Sequence, residues 1–242
     1  MGGLFEPLPS AGMSKREFSG AEPELMDRPG ASSAELEAAL RSLRGLNRYF
    51  GSYRVVSQFM NRWIRRGDHV RVVDLATGSA DIPRLVAEHA RAVGAKAEIV
   101  AVDFQPATID TARRLNADYP EIVCECADVL AFQPREKFDI AICSLALHHF
   151  SADDAIRLLR HCRDLSRRFV LVSDLRRGLL LRVGVNLLTA VIFRDRMTFH
   201  DGRTSARRAF SFRELRELAE RAGWEKFGSG RFRFARQAIW LE

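Results

Sequence analysis

The sequence predicts an α/β protein built on an open, mostly parallel sheet with helices on both faces. From Val70 onward, short apolar runs typical of strands alternate with longer segments of helical periodicity, and this alternation predicts parallel strands joined by crossover helices. The strand segments are nearly continuous apolar runs, as at residues 72–73 and 140–142, which indicates burial on both faces of the sheet. We predict strands over residues 70–75, 97–103, 122–127, 138–144 and 169–174, and helices over 82–93, 106–118 and 153–166.

Two further helices are predicted ahead of the sheet, over residues 33–46 and 49–65, with Ser33 as the N-cap of the first. Residues 1–30 are rich in Gly, Pro and Ser and predict a flexible leader. We therefore divide the chain into a leader (1–30), an N-terminal helical lid (31–68) and one α/β domain (69–242).

The last part of the chain predicts a helix followed by a hairpin. Ser211 and Glu214 form the pattern of a capping box, and Gly223 ends the helix. Strand-like pieces at 224–228 and 235–241 then predict an antiparallel hairpin at the sheet edge, which brings the total to seven strands. No linker separates a second domain.

Composition excludes several classes of protein. Hydrophobic residues make up 47% and charged residues 29% of the chain, as in ordinary globular proteins and unlike disordered or collagen-like chains. The four cysteines include no C-x-x-C pair, so neither a disulfide framework nor a zinc site is suggested. No set of His, Cys and carboxylate residues shows ligand spacing, and we expect no metal site and a cytoplasmic location.

The net charge of +7 would suit an anionic partner such as RNA. However, only four of the 38 basic residues are lysines, the arginines are scattered, and no basic block is interleaved with aromatic residues. We therefore expect no dedicated nucleic-acid surface. The most apolar stretch, 179–193, is interrupted by Arg182 and Asn186 and is short for a bilayer. It predicts a buried or substrate-facing helix without stable membrane insertion, and it is compatible with a homodimer.

The loop after the first strand carries the clearest binding pattern. Small residues at 76–80 allow a ligand to approach the backbone, Pro83 suits the first turn of a helix, and Asp81 can cap its free amides. Asp103 ends the second strand, where a carboxylate could accept both hydroxyls of a ribose. Asp128 and Val129 follow the third strand and could hold an adenine. Each could be a simple turn, but their order along the chain favours a binding site.

These motifs together resemble the class I S-adenosylmethionine-dependent methyltransferases. The resemblance rests on Asp-Leu-Ala-Thr-Gly-Ser-Ala-Asp (74–81), Val-Asp-Phe (102–104), Ala-Asp-Val (127–129) and the segment 138–150, and it covers about residues 70–175. It implies a Rossmann-like fold and S-adenosylmethionine as cofactor. Only Gly78 remains of the family's glycine-rich loop. The residues that the patterns and the resemblance assign to the cofactor are Asp74, Ala76, Thr77, Gly78, Ala80, Asp81, Asp103, Phe104, Asp128, Val129, Ser144 and Arg48.

Further segments resemble a small bacterial group of methyltransferases that accompany polyketide or phenolic-lipid pathways. These segments are 24–27, 46–48, 173–177 and 200–210. The resemblance implies O-methylation of a small, largely apolar phenolic or polyketide-derived acceptor. Alternatives are C-methylation of a quinol or phenol ring, methylation of RNA, and a cofactor-binding scaffold without activity. Residues 144–147 lack the Asn/Asp-Pro-Pro-aromatic motif of enzymes that methylate base amino groups.

Three histidines are candidate bases for a hydroxyl acceptor. A phenol has a pKa near that of tyrosine, about 10, so a neutral histidine in hydrogen-bond reach could take its proton. His148 and His149 follow the fourth strand, although they could also fix the loop. His200 precedes Asp201, which could hold its tautomer, while Asp201 and Gly202 also read as a turn.

Other polar residues are candidates for contact with the acceptor or the cofactor carboxylate. The resemblance implies that residues 178–210 cover the acceptor pocket. Arg207 and Arg208 could bind an acidic or phenolate acceptor, or form surface ion pairs. Asp174 ends the fifth strand and could face the acceptor or cap a helix. Arg48 could meet the cofactor carboxylate, with Tyr53 closing over it, or both could be structural.

Overall fold

The computed structural model describes residues 16–19, 24–27, 33–178, 181 and 196–242. The predicted helix over 179–193 lies outside these residues apart from Leu181, as does most of the predicted leader. The side chain of Ser33, predicted as an N-cap, also lies outside the described part.

Seven strands form one sheet in the order β3-β2-β1-β4-β5-β7-β6. Strands β1 to β5 are parallel, while β7 pairs antiparallel with both β5 and β6. The parallel sheet and the closing hairpin are therefore as predicted. The strands are β1 (His69–Leu75), β2 (Lys96–Asp103), β3 (Ile122–Cys126), β4 (Phe138–Ser144), β5 (Ser166–Leu175), β6 (Gly228–Phe232) and β7 (Arg236–Leu241).

Helices cover both faces of this sheet. In the described residues they are α1 (Ser33–Tyr49), α2 (Ser52–Trp63), α3 (Asp81–Val93), α4 (Pro106–Leu115), α5 (Ala152–Leu165), α6 (Arg196–Arg208) and α7 (Phe212–Arg221). Two short 3₁₀ helices lie at Leu25–Asp27 and Leu147–His149. The predicted capping box of Ser211 and Glu214 is present at the start of α7.

Side chains at alternate positions of each strand point to opposite faces of the sheet, so the core has two layers. On one face, Val72, Ile140 and Ile142 pack with apolar residues of α2 and α3. On the other face, Val73 and Cys143 pack with residues of α5 and α7. The central strands are buried on both sides because helices cover both faces, whereas β3 at the sheet edge is largely exposed.

Three local predictions were wrong. The strand predicted at 224–228 is displaced to β6, because Trp224 is buried and its indole donates to the carbonyl oxygen of Leu159. Asp81 does not cap α3: Ala80 is the N-cap residue and makes no side-chain cap hydrogen bond. The turn predicted at Asp201 lies inside α6.

The described helices include none whose length and apolar character would let it cross a bilayer. All four cysteines are free, and three of them are buried, as their apolar surroundings in the sequence predict.

Candidate active site

A cavity of about 1170 Å³ opens at the carboxyl ends of β1, β2 and β4. In the sheet, β2 and β3 lie on one side of β1, and β4 lies on its other side. The strand order therefore reverses at β1. Ligands of open α/β sheets bind at such a reversal of strand order. The cavity therefore lies where the fold itself predicts a binding site.

Strained backbone surrounds this cavity. Ala76, Ala80 and Leu145 have φ values of 57°, 53° and 57°, in the left-handed region that costs a non-glycine residue about 1–2 kcal/mol. Phe234 and Ala235 at the β6–β7 turn also have positive φ, and these are all the non-glycine residues of this kind in the described ranges. Four of the five line the cavity, and Ala80 adjoins it. Strain concentrated at one place is typical of a functional site.

Asp74, the penultimate residue of β1, carries a buried carboxyl group. Its Oδ2 accepts a hydrogen bond from the Thr77 hydroxyl at 2.6 Å, and its Oδ1 is buried with no hydrogen-bond partner among the described residues. Burial, with the nearby carboxylates of Asp81 and Asp103, raises the pKa of Asp74 to about 8. A ligand that donates a hydrogen bond would give Oδ1 a partner, and a ligand with positive charge would lower the pKa of Asp74.

Asp103 joins the ends of two strands. Its Oδ2 accepts from the Gly78 amide at 3.0 Å, and its Oδ1 accepts from the Gln105 amide at 3.2 Å. The Asp103 side chain lines the cavity. This geometry suits a carboxylate that holds two vicinal hydroxyls.

Asp81, at the start of α3, connects helix α1 to the residues that line the cavity. Its Oδ2 accepts from the Asn47 amide at 2.9 Å. Burial and Asp81 together raise the pKa of Tyr53 above its ordinary value. Arg48, predicted to meet the cofactor, is exposed and does not line the cavity. Adjacent residues of a helix point in different directions, so Asn47 lines the cavity and Arg48 does not.

The remaining predicted cofactor residues lie along the same wall. Phe104 is 57% exposed although it lines the cavity, and Val129, which also lines it, is buried. Asp128 is exposed, and its Oδ1 accepts from the Leu130 amide at 2.9 Å. The hydroxyl of Ser144, at the end of β4, lies 3.0 Å from that of Ser173. Phe104 and Val129 thus offer apolar surface, and Asp128 a polar edge.

Both histidines after β4 line the cavity and contact one glutamate. His148 is 3% exposed, and its Nδ1 lies 2.7 Å from Oδ1 of Asp174. Its Nε2 lies 3.9 Å from Oε1 of Glu24, and Nε2 of His149 lies 3.7 Å from Oε2 of the same carboxylate. The two rings pack at 4.4 Å between centroids. Sequence analysis did not identify Glu24, although its segment belongs to the resemblance.

The Glu24 segment is held by α6. The Asp201 carboxylate accepts from the amides of Leu25 and Met26 at 2.7 and 3.1 Å, and the Ser205 hydroxyl donates to Oε1 of Glu24 at 2.7 Å. We call residues 24–27 the strap. The sequence analysis missed Asp201 and Ser205 as holders of the strap, because their partners lie far away along the chain.

The other catalytic and acceptor candidates have different positions. His200 is about half exposed, lies 3.1 Å from Asp201, and does not line the cavity. Arg207 is exposed and lies 4.0 Å from Glu17, whereas Arg208 is buried and lines the cavity. Asp174 is buried behind His148 and is not part of the lining. His200, Arg207 and Asp174 therefore do not line the cavity.

Basic side chains lie at the same end of the cavity as the histidines. The Arg16 guanidinium donates to the carbonyl oxygens of His148 and Phe150 at 3.2 and 2.6 Å, and burial lowers its pKa to about 10. Arg236 is buried and donates to the Ser52 hydroxyl at 3.0 Å. Sequence analysis named neither arginine as a site residue.

Much of the cavity lining is apolar. The apolar side chains that line it include Phe18, Leu40, Leu43, Leu46, Phe50, Phe150, Leu175, Leu181 and Phe234. The cavity exceeds the range of about 300–1,000 Å³ usual for one small ligand. It has room for two molecules side by side, one of them apolar.

Comparison with known proteins places this cavity in a family context. A family model described as a methyltransferase domain matches residues 72–168. The 2-phytyl-1,4-naphtoquinone methyltransferase of Thermosynechococcus vestitus is 33% identical over 88 residues, which are 36% of this chain and 38% of that protein. The match therefore spans well under half the length of this curated relative.

Solved structures share the fold at low sequence identity. Human N-acetylserotonin methyltransferase, solved in complex with SAM, aligns with a TM-score of 0.63 and 16% identity, covering 86% of this chain and 56% of that one. A SAM-dependent methyltransferase from Aquifex aeolicus aligns with a TM-score of 0.60 and 13% identity, covering 84% and 96%. At these identities the likeness establishes the fold.

Proposed function

Because residues 72–168 match a family model described as a methyltransferase domain and lie in a mostly parallel seven-stranded sheet, we propose that this protein binds S-adenosylmethionine and methylates a small, largely apolar acceptor. The observation that carries the proposal is the row of carboxylates at the ends of the first three strands. Asp74, Asp103 and Asp128 all line the cavity. S-adenosylmethionine is a cationic nucleoside, which this row suits in charge and in hydrogen bonding.

The residues present fit this cofactor. The buried Oδ1 of Asp74, which has no partner among the described residues, supports an assignment to the cofactor's amino acid end, together with the loop at Ala76, Thr77 and Gly78. We assign the ribose hydroxyls to Asp103. We assign the adenine to the space between Phe104 and Val129, with its amine toward Asp128.

We place the acceptor in the apolar part of the cavity, beside His148 and His149. Its lining supports a hydrophobic acceptor, and the curated quinone methyltransferase relative acts, by its name, on such a molecule. We favour a phenolic or polyketide-derived hydroxyl. The alternative is a ring carbon of a quinol. Arg208, buried in the lining, is positioned to contact a polar substituent of the acceptor.

The transfer is an in-line displacement. A bond forms between the acceptor oxygen and the methyl carbon, the carbon–sulfur bond breaks, and its electron pair returns to sulfur to give neutral S-adenosylhomocysteine. The acceptor hydroxyl has to lose its proton during the transfer. We assign removal of this proton to the polar cluster of Glu24, His148 and His149, and we take His149 as the base. The remaining task of the protein is alignment of the two molecules and exclusion of water.

Transfer of isotope-labelled methyl from S-adenosylmethionine tests this proposal. The purified protein is incubated with small phenols and quinols in one reaction and with bulk RNA in a second reaction. The label in the organic fraction and in the nucleic acid fraction is then measured separately. We expect label in the organic fraction, lost in Asp103→Ala. Asp110→Ala is the matched control, because Asp110 is exposed on α4 and pairs with Arg113.

Two results would contradict the proposal in different ways. Label confined to RNA would overturn the acceptor class and would leave the cofactor site intact; that activity should also fall steeply with salt. Failure of the protein to bind S-adenosylmethionine or S-adenosylhomocysteine in calorimetry would overturn the cofactor assignment itself.

A further inference from the structure

The histidine cluster has the donor set of a metal site. One nitrogen each from His148 and His149 and one oxygen from Glu24 lie within 4.8 Å of one another. Glu24 is 2% exposed and His148 3% exposed, while His149 is half-buried and lines the cavity. The three residues come from two segments far apart in the sequence, so no ligand spacing is visible in the chain.

The contact between His148 and Asp174 favours a lone pair on Nε2 of His148, and this nitrogen faces Glu24. Asp174 Oδ1 lies 2.7 Å from Nδ1 of His148, so a neutral imidazole carries its proton on Nδ1 and a lone pair on Nε2. That Nε2 faces Oε1 of Glu24 at 3.9 Å. A positive charge between these two atoms would stabilise this buried arrangement. A carboxylate on the outer nitrogen is also the usual support of a metal-binding histidine.

Glu24 is fixed in this position by contacts made by the strap. Ser205 donates to its Oε1 at 2.7 Å, and Asp201 holds the next two backbone amides. Its Oε2 lies 3.7 Å from Nε2 of His149. A buried carboxylate is costly without compensation, and a bound cation would add to the hydrogen bonds that these contacts supply.

We propose that Glu24, His148 and His149 bind a divalent transition-metal cation of the zinc class, with an open ligand position toward the acceptor. Two imidazoles and one carboxylate suit Zn²⁺ and disfavour Mg²⁺ and Ca²⁺, which prefer oxygen ligands. Ligands at about 2.0–2.2 Å in tetrahedral geometry are about 3.4 Å apart. The separations of 3.9 and 3.7 Å join His148 and His149 to different oxygens of Glu24, and one donor atom from each of the three residues lies within 4.8 Å of the others. Binding of a cation therefore needs these donor atoms to approach one another by at most about 1.4 Å.

The role of the open ligand position on the cation rests on the proposed function, because it assumes that an acceptor hydroxyl is methylated at this site. A bound cation would take the acceptor oxygen as a further ligand and lower the pKa of its hydroxyl, as it does for water. The proton would then pass to solvent, and His149 would be a ligand instead of the base. The cation would also add positive charge beside the buried carboxylates of Glu24 and Asp174, of which Asp174 already has Arg16 and Arg236 as nearby cations.

Metal titration of the whole protein tests the proposal. Protein stripped with a chelator is titrated with Co²⁺ and Zn²⁺ in a Cys126→Ser background, because Cys126 is exposed and could bind these ions. We expect one equivalent of Co²⁺ with visible absorption bands, displaced by Zn²⁺. Glu24→Gln, His148→Ala and His149→Ala should each lose this equivalent. Asp174→Asn should bind about 10- to 100-fold more weakly.

His69→Ala is the matched control, because His69 is exposed and pairs with Glu98 far from the cavity; it should bind Co²⁺ as the parent does. Failure to take up one equivalent, or an equivalent that persists in all three ligand variants, would overturn the cation site. Methyl transfer by stripped protein at the parent rate would also overturn it, while leaving the proposed function and His149 as base in place. Loss of transfer in Asp103→Ala with Co²⁺ binding retained would separate the cofactor site from the metal site.

Discussion

The Gly78 amide donates to Oδ2 of Asp103 at 3.0 Å, which ties the loop after β1 to the end of β2. One carboxylate thus shapes the loop and also lines the cavity. The loop and the proposed ribose site are therefore coupled, and substitutions at either residue should affect cofactor binding.

Asp103→Ala should weaken binding of S-adenosylhomocysteine about 10- to 100-fold, because hydrogen bonds to a charged group contribute about 1.5–3 kcal/mol. Isothermal titration calorimetry measures this affinity. Asp110→Ala, on the exposed side of α4, should bind as the parent does. An Asp103→Ala affinity within twofold of the parent would remove Asp103 from the site.

Gly78→Ala should destabilise the protein by about 1 kcal/mol, because Gly78 has φ +55° and an L-residue is strained there. Space is available, since the nearest atom to an added Cβ is Leu40 Cδ2 at 3.8 Å. Thermal denaturation should show a loss of about 2–4 °C. Gly45→Ala is the control: it lies within α1 with no atom within 4 Å of the added Cβ, and it should stabilise. A loss of equal size at both glycines would argue against backbone strain.

Asp74→Asn should change how stability depends on pH. Burial raises the pKa of Asp74 to about 8 from an ordinary value near 3.8, so between these values the folded protein holds a proton that the unfolded chain has released. Stability due to this group therefore falls as pH rises. The variant lacks this term and should gain on the parent by up to about 1.4 kcal/mol per pH unit in that window. Urea unfolding of both proteins across it measures the gain, and parallel pH profiles would contradict the assignment.

Asp201→Asn should loosen the strap, because its carboxylate accepts from the amides of Leu25 and Met26. Hydrogen exchange of these amides should accelerate about 10- to 100-fold, as expected for lost bonds to a charged group. His200→Ala is the comparison, since His200 contacts the same carboxylate from the exposed side. Equal acceleration in both variants would show that the strap is held by other contacts.

The sheet and the loops at its edge could be predicted because their signals are local. Continuous apolar runs mark β1, β2 and β4, and a carboxylate follows or ends each of the first three strands. In parallel strands these ends fall at one sheet edge, so Asp74, Asp103 and Asp128 could be placed together from spacing alone. The sequence could not show that Arg48 and Arg207 lie outside the cavity lining, because side-chain direction on a helix changes from each residue to the next.

The sequence by itself determined the α/β class, the strand segments, the loop at 76–80 and the carboxylates beside it, because periodicity and residue type act over a few neighbours. Only the tertiary structure decided that Glu24 meets His148 and His149, that Asp174 lies behind His148, and that Asp201 holds the strap. These contacts join segments distant in the chain. Their formation depends on how helices and strands pack in three dimensions, which no local pattern specifies.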